Sequence, residues 1–196
     1  MKTIKIDLNK IVEADIKLIV DYLKQGKVVA YPTDTVYGLG CDARNAEAIK
    51  MINKIKGERG KKPLLILISD LQMLRKYCFV NNEQMQYLEK IWPGPVTVIL
   101  KRRPNLPKEL TGGLNSLAVR LPENDFLIKI INEVGFPIVS TSLNKKGDKP
   151  LRNPQNLEKH FKYLPDLAVD AGECEKIKPS RLVDLRDVKN IKVIRK

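Results

Sequence analysis

The stretch Leu64-Leu-Ile-Leu-Ile68 holds five residues in a row without a polar side chain. A strand wetted on one face alternates apolar and polar residues, so an unbroken short apolar run reads as a strand covered on both faces. Both faces are covered when helices lie on each side of a sheet, which points to an α/β fold. Val28-Val-Ala-Tyr31 is a second such run. Outward from these two, Lys2–Asp7 alternates with period two and reads as a strand. Val96–Leu100, Leu117–Arg120, Pro137–Ser140, Leu167–Val169, Leu182–Leu185 and Ile191–Ile194 read as further strands.

Helical periodicity lies between them. Asp15–Gln25 carries Ile16, Ile19, Val20 and Leu23 as a stripe, and Gly26 fits the stop position. Ala46–Ile55, Glu83–Ile91 and Phe126–Val134 read as helices, and Asp70 fits the cap of a short one. Strands and helices mix without a strict βαβ rhythm. The expectation is a single α/β domain over residues 1–196, with a twisted, open, mixed sheet and helices.

Composition narrows the class. The chain has 196 residues, 43% hydrophobic and 30% charged, enough for one domain with its own core. No apolar run approaches the roughly 20 residues that span a bilayer. Met1–Lys10 has no signal-peptide core. The expected location is the cytoplasm, with no membrane partner.

Net charge is +13, with 26 Lys against 10 Arg. Such a surface attracts the phosphates of a nucleotide or of RNA, or is simply a solvated lysine-rich exterior. Cys41, Cys78 and Cys174 form no C-x-x-C pair, and His160 is the only histidine, which argues against a zinc site. Without a histidine near it in sequence, Cys41 reads as a buried thiol rather than a nucleophile.

The polar chemistry collects where apolar strands end. Tyr31-Pro-Thr-Asp-Thr-Val-Tyr-Gly-Leu-Gly40 presents hydroxyls at Thr33 and Thr35, with glycines that permit unusual backbone; the alternative is a polar turn. Lys54-Ile-Lys-Gly-Glu-Arg-Gly-Lys-Lys-Pro63 packs five cations into ten positions, either facing a triphosphate or solvated. It lacks Walker A spacing. Trp92 precedes a strand and is more often core than a stacking platform. Arg120 ends an apolar strand and needs an anionic ligand, a protein carboxylate or solvent. Val139-Ser-Thr-Ser-Leu-Asn144 offers Ser142 and Asn144 to a phosphate or to helix capping. No Ser-His-Asp or Cys-His arrangement is visible, and His160 sits among charged residues on an exposed face. Hydroxyls, amides and cations without a protein nucleophile suit a transfer in which the substrate brings its own nucleophile.

In this order the segments resemble the YrdC family, also named TsaC. The resemblance rests on Tyr31–Gly40, Lys56 with Arg59 before Pro63-Leu64, Trp92-Pro-Gly-Pro95 with Thr97, Val119-Arg-Leu-Pro122, Ser140-Thr-Ser-Leu-Asn144 with Gly147, Asp170-Ala-Gly172, and Pro179-Ser180 with Val183-Asp184. It covers nearly the whole chain and matches the short, single-domain form. It implies a twisted open α/β sheet around a basic cavity. It also implies an L-threonylcarbamoyladenylate synthase, a nucleotidyltransferase that makes threonylcarbamoyl-AMP from L-threonine, bicarbonate and ATP, with Mg²⁺, and releases pyrophosphate. A downstream enzyme would then transfer the threonylcarbamoyl group to the adenosine beside a tRNA anticodon, so a tRNA or other RNA contact is a further expectation.

By resemblance Lys56, Arg59, Ser142 and Asn144 form the catalytic set. Thr33, Thr35, Tyr37, Arg120 and Ser180 fall to threonine. Thr97 and Ser140 join the catalytic set around the nucleotide. Metal ligands are unassigned. Three departures stand out: Glu58 takes the family's usual arginine place, with Arg59 one position later; Leu143 replaces an alanine; Arg181 replaces a threonine after Ser180. The alternative function is a non-catalytic basic RNA-binding protein.

Overall fold

The computed structural model describes residues 1–57, 62–174 and 179–196. In chain order the chain forms β1 (Lys2–Lys5), α1 (Glu13–Lys24), β2 (Val29–Tyr31), β3 (Gly38–Gly40), α2 (Ala46–Lys56), β4 (Leu65–Leu67), α3 (Leu71–Tyr77) and α4 (Asn82–Ile91). It continues with β5 (Val96–Lys101), α5 (Lys108–Thr111), β6 (Ser116–Arg120), α6 (Asp125–Val134), β7 (Ile138–Ser142), α7 (Leu157–His160), β8 (Leu167–Asp170), β9 (Arg181–Asp184) and β10 (Lys192–Arg195).

Among the described residues the strands make one ten-stranded open sheet in the order β1-β8-β2-β3-β7-β4-β6-β5-β9-β10. It is mixed, as expected. β1 and β2 lie parallel to β8, β4 to β6 and β5 to β9, and the remaining neighbours are antiparallel. β4 sits in the middle, flanked by β7 and β6. Ile66 is fully buried there, which is the double coverage that the apolar run required.

The helices form for local reasons. α1 buries Ile16, Ile19, Val20 and Leu23, one stripe at helical spacing, and packs on α6. Gly26 at φ +72° ends it in the left-handed conformation that glycine takes without strain. Asp70 caps α3 by accepting from the Met73 N–H at 2.6 Å. Asn81 and Gln84 form a reciprocal capping box on α4.

The structure differs from the sequence reading in the Tyr31–Gly40 segment. Gly38–Gly40, read as loop, is the buried strand β3 at the sheet centre, pairing with β2 and β7. Glycine has low strand propensity, so tertiary packing decides here. A Cβ on Gly40 would lie 2.5 Å from Tyr31 Cε1 and from the Val139 carbonyl oxygen. Only a bare backbone lets the Tyr31 ring lie across β3, where its hydroxyl donates to Val139 O at 3.1 Å. The four-residue helices α5 and α7 were also absent from the sequence reading.

Candidate active-site cleft

Strand geometry gathers the polar residues. Alternate residues of a strand share a face. Ala118 and Arg120 of β6, Ser140 and Ser142 of β7, and Thr97 and Ile99 of β5 all line one cleft. Leu65 and Leu67 of β4 lie between them, and Ser180 and Leu182 extend the wall along β9. Thr33 and Thr35, from the connector between β2 and β3, close one side. The cleft measures about 360 Å³, within the range of small-molecule sites, roughly 300–1,000 Å³.

Arg120 is the electrostatic hub. It is 4% exposed. Its Nη2 forms an ion pair with Asp34 Oδ2. Its Nη1 donates to Thr35 Oγ1 at 3.3 Å and its Nε donates to Gly94 O at 2.9 Å. Burial lowers the guanidinium's pKa from its ordinary value, and the Asp34 carboxylate works against that shift. The partner left open for this strand-end arginine is therefore, in part, a protein carboxylate.

Thr33 organises its own loop. Its Oγ1 accepts from the N–H groups of Thr35 at 3.0 Å and Val36 at 3.2 Å, and donates to Val36 O at 2.7 Å. That donation uses the hydroxyl's single hydrogen. In the 3.1 Å contact with Thr35 Oγ1, Thr35 is then the donor, which leaves its oxygen to accept from Arg120.

Lys56 and Asn144 are not among the residues lining the cleft, but both bond to Ser142, which is. Lys56 Nζ donates to Ser142 O at 2.7 Å, Asn144 O at 2.9 Å and Asn144 Oδ1 at 3.2 Å. Ser142 Oγ also bonds Asn144 Oδ1. The ammonium at the end of α2 thus pins the loop after β7 and brings positive charge beside Ser142. Arg59 lies outside the described residues, as do Glu58, Lys61 and Lys178.

Thr97 Oγ1 and Ser180 Oγ meet at 2.7 Å on the far wall. Arg195 lines the cleft beside them. Its Nε and Nη2 donate to Ser180 O at 2.9 and 2.7 Å. The sequence reading missed Arg195, because it ended the apolar alternation of the last strand at Ile194. Arg181, the cation that stands next to Ser180 in sequence, is not among the lining residues. The second cation at this wall comes from β10.

Tyr37, like Lys56 and Asn144, lies outside the cleft lining. Its hydroxyl donates to Gly172 O at 2.8 Å and accepts from the Ala171 N–H at 2.9 Å. It ties the turn after β8 to β3. Burial pushes its pKa up to about 12, so it stays protonated at neutral pH.

The bland readings hold for Trp92 and Cys41. Trp92 is in the core, with Nε1 donating to Val96 O at 2.6 Å. Cys41 is fully buried, and burial raises its thiol pKa, so it is no nucleophile. His160 is exposed. Among the described residues no cluster of three or more His, Cys, Asp or Glu side chains could hold a metal, and no helix is long and apolar enough to cross a membrane.

Comparison with known proteins gives the same picture. The profile of the Sua5/YciO/YrdC family, described as "Telomere recombination", matches residues 21–196. A threonylcarbamoyl-AMP synthase of Pyrococcus abyssi is 32% identical over 91% of this chain; the chain spans 53% of that relative's length. One from Yersinia enterocolitica is 33% identical over 83% of this chain and 86% of the relative. The crystal structure of P. abyssi Sua5 complexed with L-threonine superposes with a TM-score of 0.84 at 30% identity, covering 93% of this chain and 53% of that one. A match over most of the sequence, on the same fold and with Thr33, Thr97, Arg120, Ser140, Ser142 and Ser180 gathered in one cleft, makes this chain a member of the Sua5/YciO/YrdC family.

Proposed function

We propose that the chain is an L-threonylcarbamoyladenylate synthase, converting L-threonine, bicarbonate and ATP to threonylcarbamoyl-AMP and pyrophosphate. One observation carries the reading: Thr33, Thr97, Arg120, Ser140, Ser142 and Ser180, drawn from five separate segments, share one cleft of small-molecule size. Membership of a family whose relatives carry this name supports it, as does the threonine complex of P. abyssi Sua5.

The reaction balances without a protein nucleophile. Threonine's amine forms an N–C bond to carbon dioxide derived from bicarbonate, and its proton passes to water. The carbamate oxygen then forms a bond to the α-phosphorus of ATP, and the bond from that phosphorus to the pyrophosphate oxygen breaks. Arg120 takes the threonine carboxylate, with Thr33, Thr35 and Ser180 around the amino acid. Ser140, Ser142, Asn144 and Thr97 orient the phosphates. Lys56, with Arg59 by the family resemblance, offsets charge that develops on them. Tyr37 serves by holding the loop.

Mg²⁺ would be carried by the triphosphate and would offset its charge. Such an ion keeps several waters and is held largely by substrate phosphates, so it needs no dedicated protein cage, and the Ser142 hydroxyl suits it as an added oxygen ligand. The product passes to a tRNA-modifying transfer enzyme, and the compartment we assign is the cytoplasm. The RNA-binding alternative has only the +13 charge behind it.

The test is pyrophosphate release by the purified protein with ATP, Mg²⁺ and bicarbonate. Release that requires threonine is expected. Release no greater than in a threonine-free control would overturn the assignment.

A further inference from the structure

Asp34 belongs to none of the roles above, yet it is the counter-ion of the cleft's central cation. Its Oδ2 pairs with Arg120 Nη2, while its Oδ1 is buried and has no hydrogen-bond partner among the described residues. The side chains of Arg120 and Asp34 are 5% and 13% exposed. A carboxylate buried with one oxygen unsatisfied is costly. A pair kept for stability alone is better made bidentate and fully satisfied, or replaced by apolar groups. The cost is retained at the wall of the cleft, where Arg120 faces the space that a ligand would fill.

The guanidinium is held at three points from separate segments: Asp34 Oδ2 and Thr35 Oγ1 on the connector after β2, and Gly94 O ahead of β5. Of the five N–H donors of an arginine, three meet these partners, which leaves two that these partners do not use on a guanidinium whose residue lines the cleft. Thr35 and Gly94 are neutral acceptors, so Asp34 is the anchor that fixes the plane of the charge. Resting on the synthase reading, we infer that Asp34 is a positioning residue that aims Arg120 at the amino-acid carboxylate and so sets affinity for threonine rather than for ATP.

The test is steady-state kinetics on the full chain with Asp34→Asn, Asp34→Ser and Asp34→Glu, alongside thermal melting. In folded Asp34→Asn or Asp34→Ser the KM for threonine is expected to rise about tenfold. The KM for ATP and kcat are expected to stay within about twofold of the wild type. Asp34→Glu, which restores the charge, is expected to recover part of the threonine affinity. The preference for threonine over threonine amide, which lacks the carboxylate, is expected to shrink in the neutral variants.

A folded neutral variant with the wild-type threonine KM overturns the inference. So does an equal rise in both KM values, or failure of both neutral variants to fold, since each makes the pair merely structural. A wild type without threonine-dependent pyrophosphate release fails the parent reading instead. Calorimetric threonine binding to the wild type and Asp34→Asn then still reads Asp34 directly.

Discussion

At the scale of single residues, the site is built from side chains that hold one another before they hold a ligand. Lys56 donates to three oxygens of the Ser142–Asn144 segment, so its charge and its tethering cannot be separated by a deletion. Lys56→Ala is expected to lower kcat/KM for pyrophosphate release by about a hundredfold. It is also expected to lower stability by about 1 kcal/mol, because half-buried acceptors of a charged donor are left without it. Kinetics and chemical denaturation read the two effects, and an unchanged rate would remove Lys56 from the site.

The family resemblance carried by the ordered motifs was what nominated Thr33, Thr97, Arg120, Ser142 and Ser180 for one site; residue type alone left each with a structural alternative. The ion pair between Asp34 and Arg120, which spans 86 positions, left no mark in the sequence, where Arg120 had three candidate partners. Arg195 escaped for a local reason: it is the terminal residue of an edge strand whose apolar alternation stops one position earlier.

At the scale of elements, legibility followed side-chain content. Val28–Tyr31 and Leu64–Ile68 read as buried strands because every position carries an aliphatic or aromatic side chain, and α1 because four apolar residues share a stripe. β3 did not, because two of its three residues are glycines whose role is to be absent of side chain. α5 and α7, four residues each, are too short for a helical period to repeat.

β3 carries the element-scale prediction. It separates β2 from β7 and so sets the distance between the Thr33 loop and Ser140. Gly40→Ala would drive a Cβ to 2.5 Å from Tyr31 and from the backbone of β7. An expected loss of about 3 kcal/mol in urea denaturation follows, at the upper end of overpacking costs. Gly38→Ala meets its nearest neighbours only at 3.3 Å, both of them side-chain atoms. It is expected to cost clearly less, and equal losses would refute the close-approach account of this strand.

At the scale of the whole molecule, the open mixed sheet lets one face present alternate residues of β5, β6, β7 and β9 to the same space. The hydrophobic core is continuous beneath it. Among the described residues the cations lining the cleft are Lys62, ahead of β4, Arg120 of β6 and Arg195 of β10, and Lys56 at the end of α2 reaches the site through Ser142 and Asn144. The net charge of +13 was legible from composition, but not which cations meet the cleft: Arg181 and Arg195 are both exposed, and of the two it is Arg195 that lines it.

The central claim is that this cleft joins threonine and carbon dioxide to the adenylyl group of ATP. It is tested most directly by supplying ¹³C-bicarbonate with threonine, ATP and Mg²⁺ and weighing the adenylate formed. The expected product is an adenylate that contains both threonine and the labelled carbon, in step with pyrophosphate. ATP turnover yielding AMP or ADP alone, with no label in any adenylate, would contradict it.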